Sequence, residues 1–192
     1  NGLAKEAVWT AESNQVGANF GKSVACAGDV NKDGYSDILV GAPNYDNGHV
    51  NEGRAFLYLG TNMGMTQSSA WTGESNQADA NFGLSVASAG DVNGDGFADI
   101  VIGASRYDEG MSNVGKIYVY MGASNGLSLY PDWTNTGNIM DGNLGISVAT
   151  AGYGAVRRGG RLGAAADAGI GNAGFCRGVR NRCRGLFVLA AF

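Results

Sequence analysis

Two nine-residue segments of this chain carry oxygen-bearing side chains at one shared spacing. The first runs from Asp29 to Asp37 and the second from Asp91 to Asp99. In each segment Asp or Asn stands at positions 1, 3, 5 and 9, and glycine stands at position 6. Calcium takes roughly six to eight oxygen ligands, so a short loop surrounds the ion only by turning sharply. Glycine permits such a turn because it tolerates positive φ.

This spacing predicts two Ca²⁺ sites, each with four ligating side chains and one backbone carbonyl. The predicted ligands of the first loop are Asp29, Asn31, Asp33, the carbonyl of Tyr35, and Asp37. Those of the second loop are Asp91, Asn93, Asp95, the carbonyl of Phe97, and Asp99. Three carboxylates within nine residues repel one another unless a cation lies among them.

Other interpretations of the two loops are less favoured. Oxygen ligands without His or Cys argue against zinc and copper. Magnesium takes fewer protein ligands in a stricter octahedron. A metal-free turn rich in Asp, Asn and Gly stays an alternative, since these residues favour turns in any case. The recurrence of the loop at an equivalent place argues for the metal.

Both loops lie inside an internal repeat of 62 residues. Trp9, Trp71 and Trp133 are separated by this interval. The same interval relates three dipeptides, Phe20-Gly21, Phe82-Gly83 and Leu144-Gly145. Residues 9–60 align with residues 71–122 without a gap, with about 30 identities in about 50 positions. A fixed period of this kind is typical of repeat architectures.

Each repeat predicts four short strands. In the first repeat they are Phe20–Ala27, Ile38–Ala42, Arg54–Gly60 and a weaker segment at Trp71. Their counterparts are Phe82–Ala89, Ile100–Ala104, Lys116–Gly122 and the segment at Trp133. The 33 glycines and two prolines suit many tight turns and disfavour helices. The sequence therefore predicts an all-β fold, a partial β-propeller built from four-stranded blades.

The residues around the loops allow a resemblance to a known family to be stated. Phe20-Gly21 and Gly41-Ala42-Pro43 flank the first loop, and this arrangement resembles the FG-GAP repeat of integrin α-subunit propellers and their bacterial relatives. Phe82-Gly83 and Gly103-Ala104-Ser105 repeat it with serine in place of proline. The resemblance implies seven four-stranded blades, with each metal loop joining a blade's first two strands at one rim. It also implies adhesion, ligand display or assembly outside the cell or at its surface.

The repeats predict a division of the chain at residue 152. The repeat segment 1–152 contains partial units at about 1–19 and 144–152 and complete units at 20–81 and 82–143. No third metal loop follows, because Tyr153 stands where Asp is expected. Two complete repeats do not close a ring of about four to eight blades. We therefore expect further blades from the parent chain or from other chains.

Residues 153–192 form a basic segment rich in Gly, Arg and Ala. It carries seven arginines and a single acid, Asp167. One hypothesis is that the segment is an out-of-frame reading of GC-rich coding DNA or a disordered tail, and the other is that it is a genuine basic tail that binds an acidic partner. Cys176 and Cys183 lie in this segment, and the sequence leaves open whether they pair.

Composition restricts the partners of residues 1–152. They carry 16 acids and six bases, which disfavours nucleic acid as a partner because phosphate binding needs a basic face. No apolar run approaches the ~20 residues that span a bilayer, and no signal peptide is visible at the start. The resemblance leads us to expect an extracellular or cell-surface protein.

The remaining candidate residues favour binding over catalysis. His49 is the single histidine and is not repeated, so no Ser-His-Asp or Cys-His arrangement is available. Two recurring pairs, Tyr45-Asp46 and Tyr107-Asp108, predict an ordered loop on the ligand-facing rim. Contact of these residues with a protein or glycan ligand is the alternative to a purely structural role. We expect a non-enzymatic module. The alternatives are accessory blades of a phospholipase-like surface hydrolase, or a carbohydrate-binding propeller that uses Trp71 or Tyr107.

Overall fold

The computed structural model describes residues 6–150, 154–155, 170–179 and 182–191. All regular elements in these ranges are strands, which confirms the predicted all-β class. Within the same ranges, no helix has the length and apolar character needed to cross a membrane.

The first complete repeat forms one four-stranded antiparallel sheet. Its strands are β1 (Ser23–Gly28), β2 (Asp37–Ala42), β3 (Arg54–Tyr58) and β6 (Trp71–Glu74), paired in that order. A small hairpin of β4 (Gly60–Thr61) and β5 (Gly64–Met65) lies between β3 and β6 in the chain. Val40 stands opposite Val24 on one side and Phe56 on the other.

The second repeat forms an equivalent sheet. Its strands are β7 (Phe82–Gly90), β8 (Asp99–Ala104), β9 (Lys116–Tyr120) and β10 (Trp133–Thr136), again paired in chain order. Each sheet has the up-and-down order of a propeller blade, as predicted. We call these sheets blade 1 and blade 2.

The second strand of each blade is the most deeply buried. β2 and β8 are nearly continuous apolar runs, typical of strands covered on both faces. Between the blades lies an apolar core that draws on both sheets and includes Leu39, Leu57, Trp71, Phe82, Ile102 and Tyr120. The Trp71 ring lies 4.8 Å from the Tyr120 ring, and its Nε1 donates a hydrogen bond to the Ser128 carbonyl at 2.8 Å. Trp71 is therefore part of the core between blades.

Close backbone contacts join one unit to the next at the Phe-Gly and Gly-Ala positions. Gly41 of β2 lies against Gly83, and a Cβ at residue 41 would overlap the Gly83 carbonyl oxygen. The same oxygen accepts a hydrogen bond from Ser23 Oγ at 2.8 Å. Gly103 and Gly145 make the equivalent contact one repeat later. Thus Gly145 of the third unit docks on blade 2 although Leu144 replaces phenylalanine.

Three further strands lie beyond residue 152. They are β11 (Gly154–Ala155), β12 (Ile170–Val179) and β13 (Arg182–Ala191), in an antiparallel sheet with β13 at the centre. Neither hypothesis for residues 153–192 is tested by these strands, and the division at residue 152 stays a prediction. The side chains of Cys176 and Cys183 lie outside the described part of the structure.

Candidate metal centre

The two acidic loops occupy equivalent connections in the two blades. Residues 29–36 join β1 to β2, and residues 91–98 join β7 to β8, so position 9 of each loop is the first residue of the following strand. Each loop therefore connects the first two strands of its blade, as the resemblance implies. The strands fix both ends of each loop, while positions 1, 3 and 5 lie in its turn.

In the first loop, position 1 accepts hydrogen bonds from the backbone of the turn. Asp29 Oδ1 accepts from the amide of Asp33 at 3.0 Å, and Asp29 Oδ2 accepts from the amide of Gly34 at 2.8 Å. Gly34 has a φ of 94°, a region that favours glycine. The structure thus confirms the sharp turn that the sequence predicts at position 6.

Positions 3 and 5 of the first loop are joined to each other. Asn31 Nδ2 donates to Asp33 Oδ2 at 2.9 Å, and Asp33 Oδ1 accepts from the amide of Tyr35 at 2.9 Å. Tyr35 is 43% exposed, so its ring does not pack in the core. The residue contributes to the loop through its backbone. The turn therefore gathers the oxygens of positions 1, 3 and 5 around its own backbone amides.

The second loop repeats this arrangement. Asp91 Oδ2 accepts from the amide of Gly96 at 2.9 Å, and Asn93 Nδ2 donates to Asp95 Oδ2 at 2.7 Å. The amide of Phe97 donates to Asp95 Oδ1 at 2.9 Å. The motif therefore adopts the same hydrogen-bonded turn in both repeats.

Position 9 has different surroundings from the other predicted ligands. Asp37 and Asp99 are completely buried. The two oxygens of Asp37 accept hydrogen bonds from the amides of Val30 and Gly60, both at 2.9 Å. Those of Asp99 accept from the amides of Val92 at 2.6 Å and Gly122 at 2.9 Å. Each carboxylate thus ties the start of its loop to the residues that follow the third strand.

Burial and neighbouring charge act on these two carboxyl groups. Burial raises the pKa of Asp99 to about 6, although its two amide hydrogen bonds oppose the shift and the negative charges of Asp95 and Asp91 add to it. Burial likewise raises the pKa of Asp37. The carboxylates of each loop are therefore close enough to repel, and a positive ion beside them would stabilise their charged forms.

The donor chemistry of both loops fits a hard divalent cation. Every predicted ligand atom is an oxygen, from a carboxylate, an amide or a backbone carbonyl. Among the residues that the structure describes, no three His, Cys, Asp or Glu side chains converge as a ready-made metal cluster. The oxygens at positions 1 and 5 instead accept hydrogen bonds from amides of their own turn. Each of these oxygens still has a lone pair, because a carboxylate oxygen accepts more than one hydrogen bond.

The predicted rim loops are ordered by internal contacts. Gln15 brackets Asp46, since its Oε1 accepts from the Asp46 amide at 2.7 Å and its Nε2 donates to the Asp46 carbonyl at 2.9 Å. Gln77 brackets Asp108 in the same way, at 2.6 and 2.9 Å. These glutamines were not among the predicted site residues, although their recurrence at the 62-residue interval is a usable signal.

The rim tyrosines are half-buried and stack with basic side chains. The Arg54 guanidinium lies 4.4 Å from the centre of the Tyr45 ring, and Lys116 Nζ lies 4.3 Å from that of Tyr107. Asp46 and Asp108 are exposed. The rim thus presents its carboxylates to solvent, while the tyrosine rings have partners within their own blade.

Comparison with known proteins agrees with the architecture. The model of the FG-GAP repeat matches residues 20–58 and 82–120. Integrin alpha-3 of Cricetulus griseus is 39% identical over 147 residues, which are 74% of this chain and 13% of that protein. Integrin alpha-6 of Gallus gallus is 37% identical over 126 residues, 62% of this chain and 11% of that protein.

The similarity extends to an insect protein. Integrin alpha-PS2 of Drosophila melanogaster is 37% identical over 128 residues, which are 62% of this chain and 9% of that protein. The chain therefore spans a small fraction of the length of the curated relatives it matches. The two matched ranges begin at Phe20 and Phe82 and cover the first three strands of each blade. The chain belongs to the FG-GAP repeat family, and its two blades are propeller blades of the integrin α type.

Proposed function

We propose that the chain is a non-enzymatic, calcium-stabilised propeller segment that acts in adhesion or protein interaction outside the cell or at its surface. The observation that carries the proposal is the recurrence of one oxygen-rich loop, with one hydrogen-bond geometry, at the same connection of both blades. The integrin α relatives support a role in adhesion. Their partners and activities belong to proteins far longer than this chain.

Calcium would supply positive charge to each loop and fix the relative position of its oxygens. In the first loop the chain would offer the side chains of positions 1, 3, 5 and 9 and the carbonyl of Tyr35, and in the second the corresponding set with the carbonyl of Phe97. Asp37 and Asp99 would anchor the ends of the loops in the core. The role proposed for the metal is to hold the blade rim in shape.

The outer face of blade 1 supports the proposal that further blades pack on this segment. Val24 on β1 is 62% exposed, whereas Val86, at the same position of the next repeat, is 8% exposed. Blade 1 covers Val86, since Val86 packs in one apolar core with residues of blade 1 such as Leu39 and Leu57. An equivalent blade placed before blade 1 would cover Val24 in the same manner.

The rim carboxylates Asp46 and Asp108 are proposed, together with Tyr45 and Tyr107, to contact a protein or glycan ligand. Their support is exposure combined with a loop that is already ordered, which lowers the entropic cost of binding. Substituting both carboxylates with asparagine should abolish binding to a protein or glycan probe without lowering the melting temperature by more than a few degrees.

A thermal unfolding experiment tests the calcium proposal. At about 1 mM calcium, a site with a Kd of about 10⁻⁴ M adds about 1.4 kcal/mol to the free energy of unfolding. We expect calcium to raise the melting temperature, and D33N and D95N each to remove part of that gain. E12Q is a matched control, because Glu12 is exposed and lies outside both loops. A melting temperature that is equal in calcium and in chelator contradicts the proposal.

A further inference from the structure

Lys32 of the first loop reaches across to the second loop. Its Nζ lies 3.3 Å from the carbonyl oxygen of Asp95 and 5.2 Å from the centre of the Phe97 ring. It also fills the space beside Gly96, where a Cβ would overlap Nζ. The ammonium group donates to the carbonyl and stands over the ring face, which attracts cations. One side chain of blade 1 thus contacts three consecutive residues of the loop in blade 2.

The residues at both ends of this contact stand beside predicted ligands. Lys32 is position 4 of its loop, between Asn31 and Asp33. Asp95 and Phe97 are positions 5 and 7 of theirs, predicted to supply a carboxylate and a carbonyl to the ion. An ion that orders Asn31 and Asp33 therefore also orders the backbone from which Lys32 projects. The entropic cost of ordering Lys32 against the second loop is then met when the first ion binds. The second ion binds without that cost.

The backbone at Lys32 indicates that the loop itself does not require a lysine. Its φ is 61°, in the left-handed region that residues other than glycine seldom adopt. The second loop has Gly94 at this position, with a φ of 78°. Lysine is less favourable than glycine in this conformation. The contacts with the second loop offset that cost. They add a side-chain link to the backbone link between the loops, in which the Ala98 amide donates a hydrogen bond to the Asp29 carbonyl at 3.0 Å.

We propose that Lys32 is a positioning residue that couples the two calcium loops. This inference rests on the proposed function. Calcium binding to the first loop holds Lys32 against the turn at residues 95–97. That turn is then fixed in the conformation that binds the second calcium ion. The contact is solvent-exposed, so the coupling is modest, about threefold in the calcium affinity of the second loop.

The test is a calcium titration of the full 192-residue chain, with the backbone amide signals of Gly34 and Gly96 as separate reporters of the two loops. D33N disables the first loop, and we expect it to weaken calcium binding at Gly96 about threefold. In a chain that also carries K32M, the same D33N change should leave the affinity at Gly96 unaltered. K22M is a matched control, since it removes an exposed lysine outside the loops and should leave the coupling intact.

A second variant separates the contact from the backbone conformation. K32G gives the first loop the residue of the second, so it relieves the left-handed backbone while it removes the bridge, and it should abolish the coupling as K32M does. The proposal is overturned if D33N leaves the Gly96 affinity unchanged or strengthens it, or if coupling persists in K32M. A chain in which neither amide signal responds to calcium contradicts the proposed function itself, and this inference with it.

Discussion

Asp95 and Asp99 belong to one loop, yet their side chains have opposite surroundings. Asp95 lies in the exposed turn, whereas Asp99 is buried and accepts two backbone amide hydrogen bonds. The spacing of the motif predicts both as ligands, because it identifies oxygen atoms and their order. It does not distinguish the carboxylate that also anchors the loop, since burial depends on strands that come from distant parts of the chain.

This difference predicts unequal costs of two similar substitutions in the absence of calcium. D99N places an amide NH₂ against a backbone N–H donor, so one buried hydrogen bond is lost and two donors meet. We expect the free energy of unfolding to fall by about 1–3 kcal/mol. D95N, in the same loop, should cost less than about 1 kcal/mol because its site is exposed. Urea denaturation in chelator measures both, and equal losses would contradict the anchoring role of Asp99.

Among the elements, the strands were largely predictable from the sequence, but the residues at which they begin and end were not. The alternation and apolar runs predicted both sheets, and β2 and β8 begin one residue before their predicted starts. β1 begins at Ser23 and not at Phe20, because the residues before it form a turn. Gly21 has a φ of 82° there, and its amide donates to the Gly41 carbonyl at 3.0 Å. The equivalent Gly83 has a φ of 81° and lies within β7, where the pairing with β8 shifts register after Phe82, so a glycine in the pattern marks an irregularity but not where the strand begins.

The docking of one unit on the next predicts a large effect of a small side chain. G41A adds a methyl group that would overlap the Gly83 carbonyl oxygen, so the blades must separate. We expect a loss of about 1–3 kcal/mol in the free energy of unfolding, typical of overpacking. Gly17 has positive φ and open space around it, so G17A reports backbone strain alone. If G41A unfolds like the native chain in urea, the close contact does not hold the blades together.

At the scale of the whole molecule, the repeat determines most of what the sequence could predict. The 62-residue interval predicted two equivalent blades, and the matched family ranges fall in these blades. The contact of Lys32 with the second loop was not predicted. A repeat aligns equivalent residues, but it does not show which side chain crosses from one unit to the next. The signal was one of three unlike pairs in the two loops, Lys32 in the first and Gly94 in the second.

Residues 153–192 lie outside the matched repeats, and both hypotheses for their origin stay predictions. Sequencing the source DNA tests the out-of-frame hypothesis. A shifted frame that restores the repeat would support it, and an uninterrupted frame without a restored repeat would exclude it. Neither outcome changes the two predicted metal loops, because all their predicted calcium ligands lie before residue 100.

The number of calcium ions bound per chain is the decisive measurement for the two predicted metal loops. Isothermal titration of the chelator-treated protein should give two ions for the native chain and one each for D33N and D95N. The double variant should bind none, while E12Q should still bind two. A native chain that binds no calcium, or a double variant that still binds two ions, would contradict the assignment of the loops as metal sites.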